Sequence, residues 1–202
     1  ASRMLLASPE REEAMACWTG SSMAPIAAGV TQHGFPFVNT EMSHFAGGGG
    51  ARVYRDGVDT GGIVFNTTPN IANIETIEQD FPLLYLFRRH LGDSGGPGKF
   101  RGGSSAELAY VVHDAPRGQL EVSFSGTGAE LPNALGLSGG LPGAAIRVLR
   151  IRGSDVPDRL RQGRPLPASL DEISGKPEVM PQKHPRTPFL SDEEPNGSTH
   201  DS

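Results

Sequence analysis

The chain has a single cysteine, Cys17, in 202 residues. An internal disulfide is therefore excluded, and a lone thiol fits a reducing compartment. Long hydrophobic runs are missing too. Nothing approaches the roughly 18 consecutive apolar residues of a membrane-spanning helix. The first eight residues hold an apolar core of only Met4-Leu5-Leu6, too short for a secretory leader. Charge is modest and dispersed. Eighteen basic and 23 acidic residues leave a net charge of −5, with no basic stripe for nucleic acid and no polybasic cluster for anionic lipid. These absences lead us to expect a cytoplasmic protein without nucleic-acid, membrane or disulfide partners. The chain also lacks an initiator methionine and starts directly in a helix-like segment, so an internal portion of a longer protein is expected.

Glycine and proline are in excess. The 27 glycines are nearly twice the usual share of about 7%, and the 17 prolines also exceed the average. Taken with the glycines, the 36% of hydrophobic residues becomes about half the chain, enough to bury a core. Such a composition favours short strands, tight turns and close backbone approaches over a helical bundle. The length suits one domain, or one and a half. The expected fold class is α+β, strand-rich with short helices and glycine-rich loops.

Ser8, Pro9 and the acids Glu10, Glu12 and Glu13 predict a helix start, the helix carrying Ala14, Met15, Cys17 and Trp18. Cys17 then reads as a core residue. Residues 33–38 read as a short strand interrupted by Pro36, and a strand is expected over 51–54, after the glycine run 47–50. Asp56-Gly57 marks a turn and 59–62 a loop. Residues 73–78 fit one helical turn or a short strand. Residues 83–87 and 107–113 read as extended. In 119–124, Leu120, Val122 and Phe124 alternate onto one face. A last strand is expected over 144–152, where Arg147, Arg150 and Arg152 mark solvated positions. Residues 1–173 are the expected folded domain. Residues 174–202, with five prolines and only Val179, Met180, Phe189 and Leu190 strongly apolar, predict a tail that is disordered or docks on a partner.

The most informative string is residues 91–103. Its part Gly92-Asp93-Ser94-Gly95-Gly96-Pro97 spells the surroundings of the nucleophilic serine in trypsin-like proteases. That chemistry needs a histidine to accept the serine proton and a buried aspartate to orient the histidine. None of the six histidines stands in the alanine-alanine-histidine-cysteine context that such proteases carry, and Ser94 has 108 residues after it instead of lying in the last quarter. The protease reading is the remote alternative.

Read through to Arg101-Gly102-Gly103, the string resembles the DSGGxGxxRGG signature of the hydantoinase B/oxoprolinase family. Three further segments are similar to that family in the same order. Gly47 to Gly50 with Ala51-Arg52 resemble a GGxGAR loop. Asp56-Gly57-Val58-Asp59 follow, then Asn73, Glu75 and Glu78 ahead of Phe81-Pro82. The resemblance spans about residues 3–152. It implies part of a B-type subunit working with an A-type, ATP-binding partner on a small-molecule substrate. ATP and a divalent metal are implied for the complete complex. Phosphorylating an amide or enolate oxygen makes a poor leaving group a good one, so a stable bond can be broken. Ring opening of hydantoin or 5-oxoproline is the implied reaction. Ketone carboxylation of the acetone/acetophenone type and a non-catalytic assembly module are the alternatives. The family's N-terminal NDP[YF]xGGxH segment and its C-terminal glycine run have no counterpart here.

On the residues themselves, Gly47, Gly48, Gly49, Gly50, Asp59, Asp93, Ser94, Gly95, Gly96, Gly98, Arg101, Gly102 and Gly103 form the structural signature. Asp93 and Arg101 are expected to pair across the glycine turn, with Ser94 capping a backbone N–H. Asp56 and Asp59 are expected to shape turns. Candidate acid/base groups are Glu75, Glu78 and Asp93. His33 and His44, with Glu41 between them, are the only metal-like cluster, at a spacing that matches no standard ligand pattern.

Overall fold

The computed structural model describes residues 2–7, 9–18, 22–40, 46–62, 71–115, 120–180 and 187–188. The fold is α+β. Its strands are β1 (Ser22–Val30), β2 (Pro36–Thr40), β3 (Leu83–His90), β4 (Ala106–Val112), β5 (Leu120–Thr127), β6 (Leu149–Arg152), β7 (Lys176–Val179) and β8 (Thr187–Pro188). Among the described residues three short α-helices accompany them: α1 (Ser2–Leu6), α2 (Ile74–Asp80) and α3 (Val156–Arg161). Among the described residues, no helix is long and apolar enough to cross a membrane.

Alternation builds the first layer, an antiparallel sheet in the order β2-β1-β5-β8. Ala27 faces Val122 and Gly29 faces Leu120. Side chains on one face therefore sink together, and Ala27, Leu120 and Val122 are all buried. The second layer is the β3–β4 hairpin with α2. Leu83, Tyr85 and Ile77 complete the core, with Phe37, Phe81, Leu108, Tyr110 and Phe124 packed around it. Phe37 of β2 meets Phe81 across the layers at 5.1 Å between ring centroids, and Tyr85 packs on Tyr110 within the β3–β4 pair at 5.5 Å. A bulge at Leu86 shifts the β3–β4 register, so that Arg88 rather than Phe87 follows Tyr85 on the inner face. Arg88 donates from there to the Ala72 carbonyl at 2.9 Å.

Helix α2 is bounded by side chains at both ends. Asn73 accepts the Glu75 N–H at 3.2 Å, and buried Pro82 follows the C-cap. Gln32 Nε2 donates to the carbonyls of Glu78 and Gln79 in the last turn, at 2.9 and 2.7 Å. A third unit joins β6 and β7, with α3 between them in the chain. Arg159 ties it together, donating to Asp155 Oδ2 (2.6 Å) and to the Glu172 carbonyl (2.9 Å). Residues 176–179 and 187–188 of the expected tail thus supply β7 and the edge strand β8. Residues 189–202 lie outside the described residues.

Several expected elements are corrected. The helix expected through Trp18 is a single 3-10 turn, Arg11–Glu13, because Ala14 turns extended and the Ala16 N–H donates to the Ala51 carbonyl at 2.8 Å. In that extended segment Ala14 is buried and Cys17 is exposed, so Cys17 is not a core residue. The strand expected over 51–54 reduces to one bridge, Arg52 with Met15, because the chain turns back through Arg52 N to Arg55 O at 2.9 Å. The strand expected over 144–152 begins only at Leu149. Its first half changes partners, Ala144 N donating to Ser94 O and Ile146 N to Gly128 O, and no ladder forms. The strand expected over 33–38 starts at Pro36, since 31–35 form the tight β1–β2 turn.

Candidate functional site: a glycine-walled loop cluster

Three of the four sequence signatures fold into one place. Segments 47–51, 56–60, 94–104 and 134–144 run side by side, joined by single main-chain hydrogen bonds and not by long ladders. Gly49 N donates to Val58 O (2.7 Å), Gly103 N to Gly49 O (2.8 Å), Gly57 N to Arg101 O (2.9 Å) and Thr60 N to Ser104 O (2.8 Å). The approach is so close that side chains are excluded. A Cβ on Gly48 would overlap the Gly103 carbonyl, and one on Gly103 would overlap the Val58 carbonyl. Glycine is required there by contact with neighbouring backbone, not by φ.

Ser94 sits inside this stack. It is 6% exposed; its Oγ donates to the Leu91 carbonyl at 2.7 Å and accepts the Ser105 N–H at 2.8 Å. Leu91 N also donates to Ser105 O, and Gly48 N to Ser105 Oγ. The hydroxyl therefore bridges two backbone segments, and neither of its partners is a histidine.

Arg101 pairs with Asp56 and Asp59, at 3.9 and 3.8 Å, and not with Asp93. Asp93 is exposed in a left-handed turn (φ 55°), while the 56–60 loop is zipped alongside 101–104. Beyond shaping turns, the two carboxylates hold this second loop. Asp56 Oδ1 accepts the Arg101 N–H at 2.9 Å, and Asp59 Oδ1 accepts the Ser104 N–H at 2.6 Å. The Ser104 hydrogen bond, with help from the Arg101 charge, holds the Asp59 carboxyl below its ordinary value of 3.8.

The other candidates lie elsewhere. Glu78 Oε1 accepts the Tyr85 N–H at 2.7 Å, anchoring the start of β3, and Glu75 is exposed on the first turn of α2. His33 lies with Nε2 3.1 Å from the Gln79 carbonyl at the far end of α2. His44 and Glu41 lie outside the described residues. Among the described residues, no three His, Cys, Asp or Glu side chains gather to hold a metal ion, so these residues do not fit the divalent metal implied for the complex.

The stack encloses a cleft of about 350 Å³. Gly48 to Gly50, Gly95, Gly96 and Gly98 line it, and Val53, Leu135 and Leu141 stand exposed at its rim. Sequence reasoning missed Ser104, Ser105 and the 134–143 wall. Gly136, Gly139, Gly140 and Gly143 carry a signal for that wall, whereas plain serines carry none.

Comparison with known proteins matches this architecture. Residues 3–184 match the family model for Hydantoinase B/oxoprolinase. The chain is 30% identical over 157 residues to the acetophenone carboxylase delta subunit of Aromatoleum aromaticum, covering 72% of this chain and 22% of that protein. It is 29% identical over 126 residues to the acetone carboxylase alpha subunit of Xanthobacter autotrophicus, covering 62% and 16%. The chain thus spans less than a quarter of the length of these relatives. The fold is similar to that of the nucleotide-free acetone carboxylase structure, with a TM-score of 0.72 and 22% identity, over 94% of this chain and 25% of that one. The chain belongs to the Hydantoinase B/oxoprolinase family.

Proposed function

We propose that the chain supplies part of a B-type subunit of an ATP-dependent carboxylase acting on a small ketone of the acetone or acetophenone kind. The observation that carries this reading is the match of 157 residues to an acetophenone carboxylase subunit at 30% identity, alongside the acetone carboxylase match. Its partner in this reading is an A-type, ATP-binding subunit. Phosphoryl transfer from ATP to a substrate oxygen supplies the driving force, and no step of that transfer is placed on this chain. The contribution of its own residues is positional. Asp56, Asp59, Ser94 and Arg101 lock glycine-rich loops into a stiff wall, the kind of support that holds reacting groups supplied by other segments. Opening of a cyclic amide is the second reading, favoured by the Hydantoinase B/oxoprolinase match itself.

The test grafts this chain onto the acetophenone carboxylase delta subunit in place of the matched region and assembles it with an A-type subunit. ATP hydrolysis is followed with acetone or acetophenone plus bicarbonate, with hydantoin, and with 5-oxoproline. Ketone-dependent hydrolysis with incorporation of labelled bicarbonate is the expected result. Turnover with hydantoin or 5-oxoproline alone would replace this reading by the second. A stable complex that is silent with every substrate would leave the chain an assembly module.

A further inference from the structure

The rim of the glycine-walled cleft combines two features that conflict in a protein surface left bare. Val53, Leu135 and Leu141 all line it, yet they are 41%, 54% and 61% exposed. Their display is fixed. The 134–143 loop closes on itself through Gly143 N to Ala134 O (3.0 Å) and Gly140 N to Leu137 O (2.9 Å). It is fastened to the signature string through Leu141 N to Pro97 O and Ala144 N to Ser94 O, both 2.9 Å. An ordered apolar rim around a concave floor marks a contact surface.

We infer that this cleft seats an extended, apolar polypeptide segment with an acidic flank, drawn from the part of the family's B-type subunits that this chain does not match. Three observations select that occupant. Twelve of the described lining residues are glycines, so main chain reaches the cleft surface at many points, and extended main chain is its natural complement. The charged residues among the described lining are Arg52, which is paired with Glu13 at 3.4 Å, and Lys99, which lies over the Phe100 ring; the lining itself holds no aspartate or glutamate, so a carboxylate is favoured over a cation beside Lys99. The acetone carboxylase chain reproduces this fold with 25% of its length, and the acetophenone carboxylase subunit matches with 22%, so ample family polypeptide remains to cover the rim. The inference holds for either reading of the reaction and is tested apart from them.

The test measures binding of this chain to overlapping synthetic peptides that tile the unmatched portion of the acetophenone carboxylase delta subunit, by fluorescence anisotropy. At least one peptide with an acidic flank should bind saturably. L135D/L141D should weaken it tenfold or more, and K99E should weaken it at low salt, with melting temperatures unchanged. Val38→Asp, on the exposed outer face of the β1–β2 sheet, should leave binding intact. No binding peptide, binding insensitive to L135D/L141D, or loss with Val38→Asp would overturn the inference. So would rim-dependent capture of an intact A-type subunit with no peptide bound, which would give the cleft to the other subunit.

Discussion

Ser94 Oγ accepts the Ser105 N–H at 2.8 Å while donating to the Leu91 carbonyl at 2.7 Å. A hydroxyl saturated in this way stitches two chain segments and has no proton acceptor of the kind a nucleophile needs. Ser94→Ala should leave the half-buried Ser105 N–H without this partner, at a cost of about 1 kcal/mol. Urea unfolding should show a lower midpoint with an unchanged slope, and a fluorophosphonate probe should not label the wild-type chain. An unaltered midpoint would mean that the bridge contributes nothing.

The glycine contacts grade the signature positions. At Gly103 and Gly95 a methyl group would overlap neighbouring carbonyls, of Val58 and Gly102 respectively, whereas at Gly92 it meets open space. Gly103→Ala and Gly95→Val should therefore yield insoluble or unfolded protein, worse than Ser94→Ala. Gly92→Ala should stay within about 0.5 kcal/mol of wild type. Soluble yield and circular dichroism melting of the four variants check this order.

Asp59 makes the loop clasp sensitive to acid. Its carboxyl is held below 3.8 by the Ser104 N–H and the Arg101 charge. A folded-state pKa below the unfolded one gives stability that is present above about 3.8 and lost as pH falls through the folded value. Asp59→Asn should therefore melt lower than wild type at pH 7, and the gap should narrow below pH 4. A gap that stays constant from pH 7 to pH 3 would show that the carboxylate charge has no part in the clasp.

Local signals were legible and distant partners were not. The alternation of Leu120, Val122 and Phe124 marks the buried face of β5, because period-two burial is written within six residues. The Ser8-Pro9 signal predicts a helix through Trp18, but only the 3-10 turn Arg11–Glu13 forms, because carbonyls near residues 51 and 62 capture the following residues. Ala16 N bonds Ala51 O and Trp18 Nε1 bonds Gly62 O. The ordered strings around residues 47–52, 56–59 and 93–103 give the loop cluster its membership. Which groups meet inside it depends on contacts spanning 45 residues, such as Asp59 with Ser104 and Asp56 with Arg101. Arg101 carries no local mark that would choose Asp59 over the nearer Asp93.

Glu78 separates an anchoring role from acid/base chemistry. Its Oε1 accepts the Tyr85 N–H at 2.7 Å across the α2–β3 junction, and Tyr85 belongs to the buried core. An amide oxygen can take that hydrogen bond as a carboxylate does, but an amide cannot exchange a proton near neutral pH. Glu78→Gln should thus keep most of the stability, while Glu78→Ala should lose about 1 kcal/mol by removing this hydrogen bond. Glu75→Ala, on the exposed first turn of the same helix, should change stability by less than about 0.5 kcal/mol. In the grafted subunit assembled with its A-type partner, Glu78→Gln should retain substrate-dependent ATP hydrolysis. Loss of that hydrolysis in a Glu78→Gln protein with wild-type melting would transfer Glu78 from anchor to proton carrier.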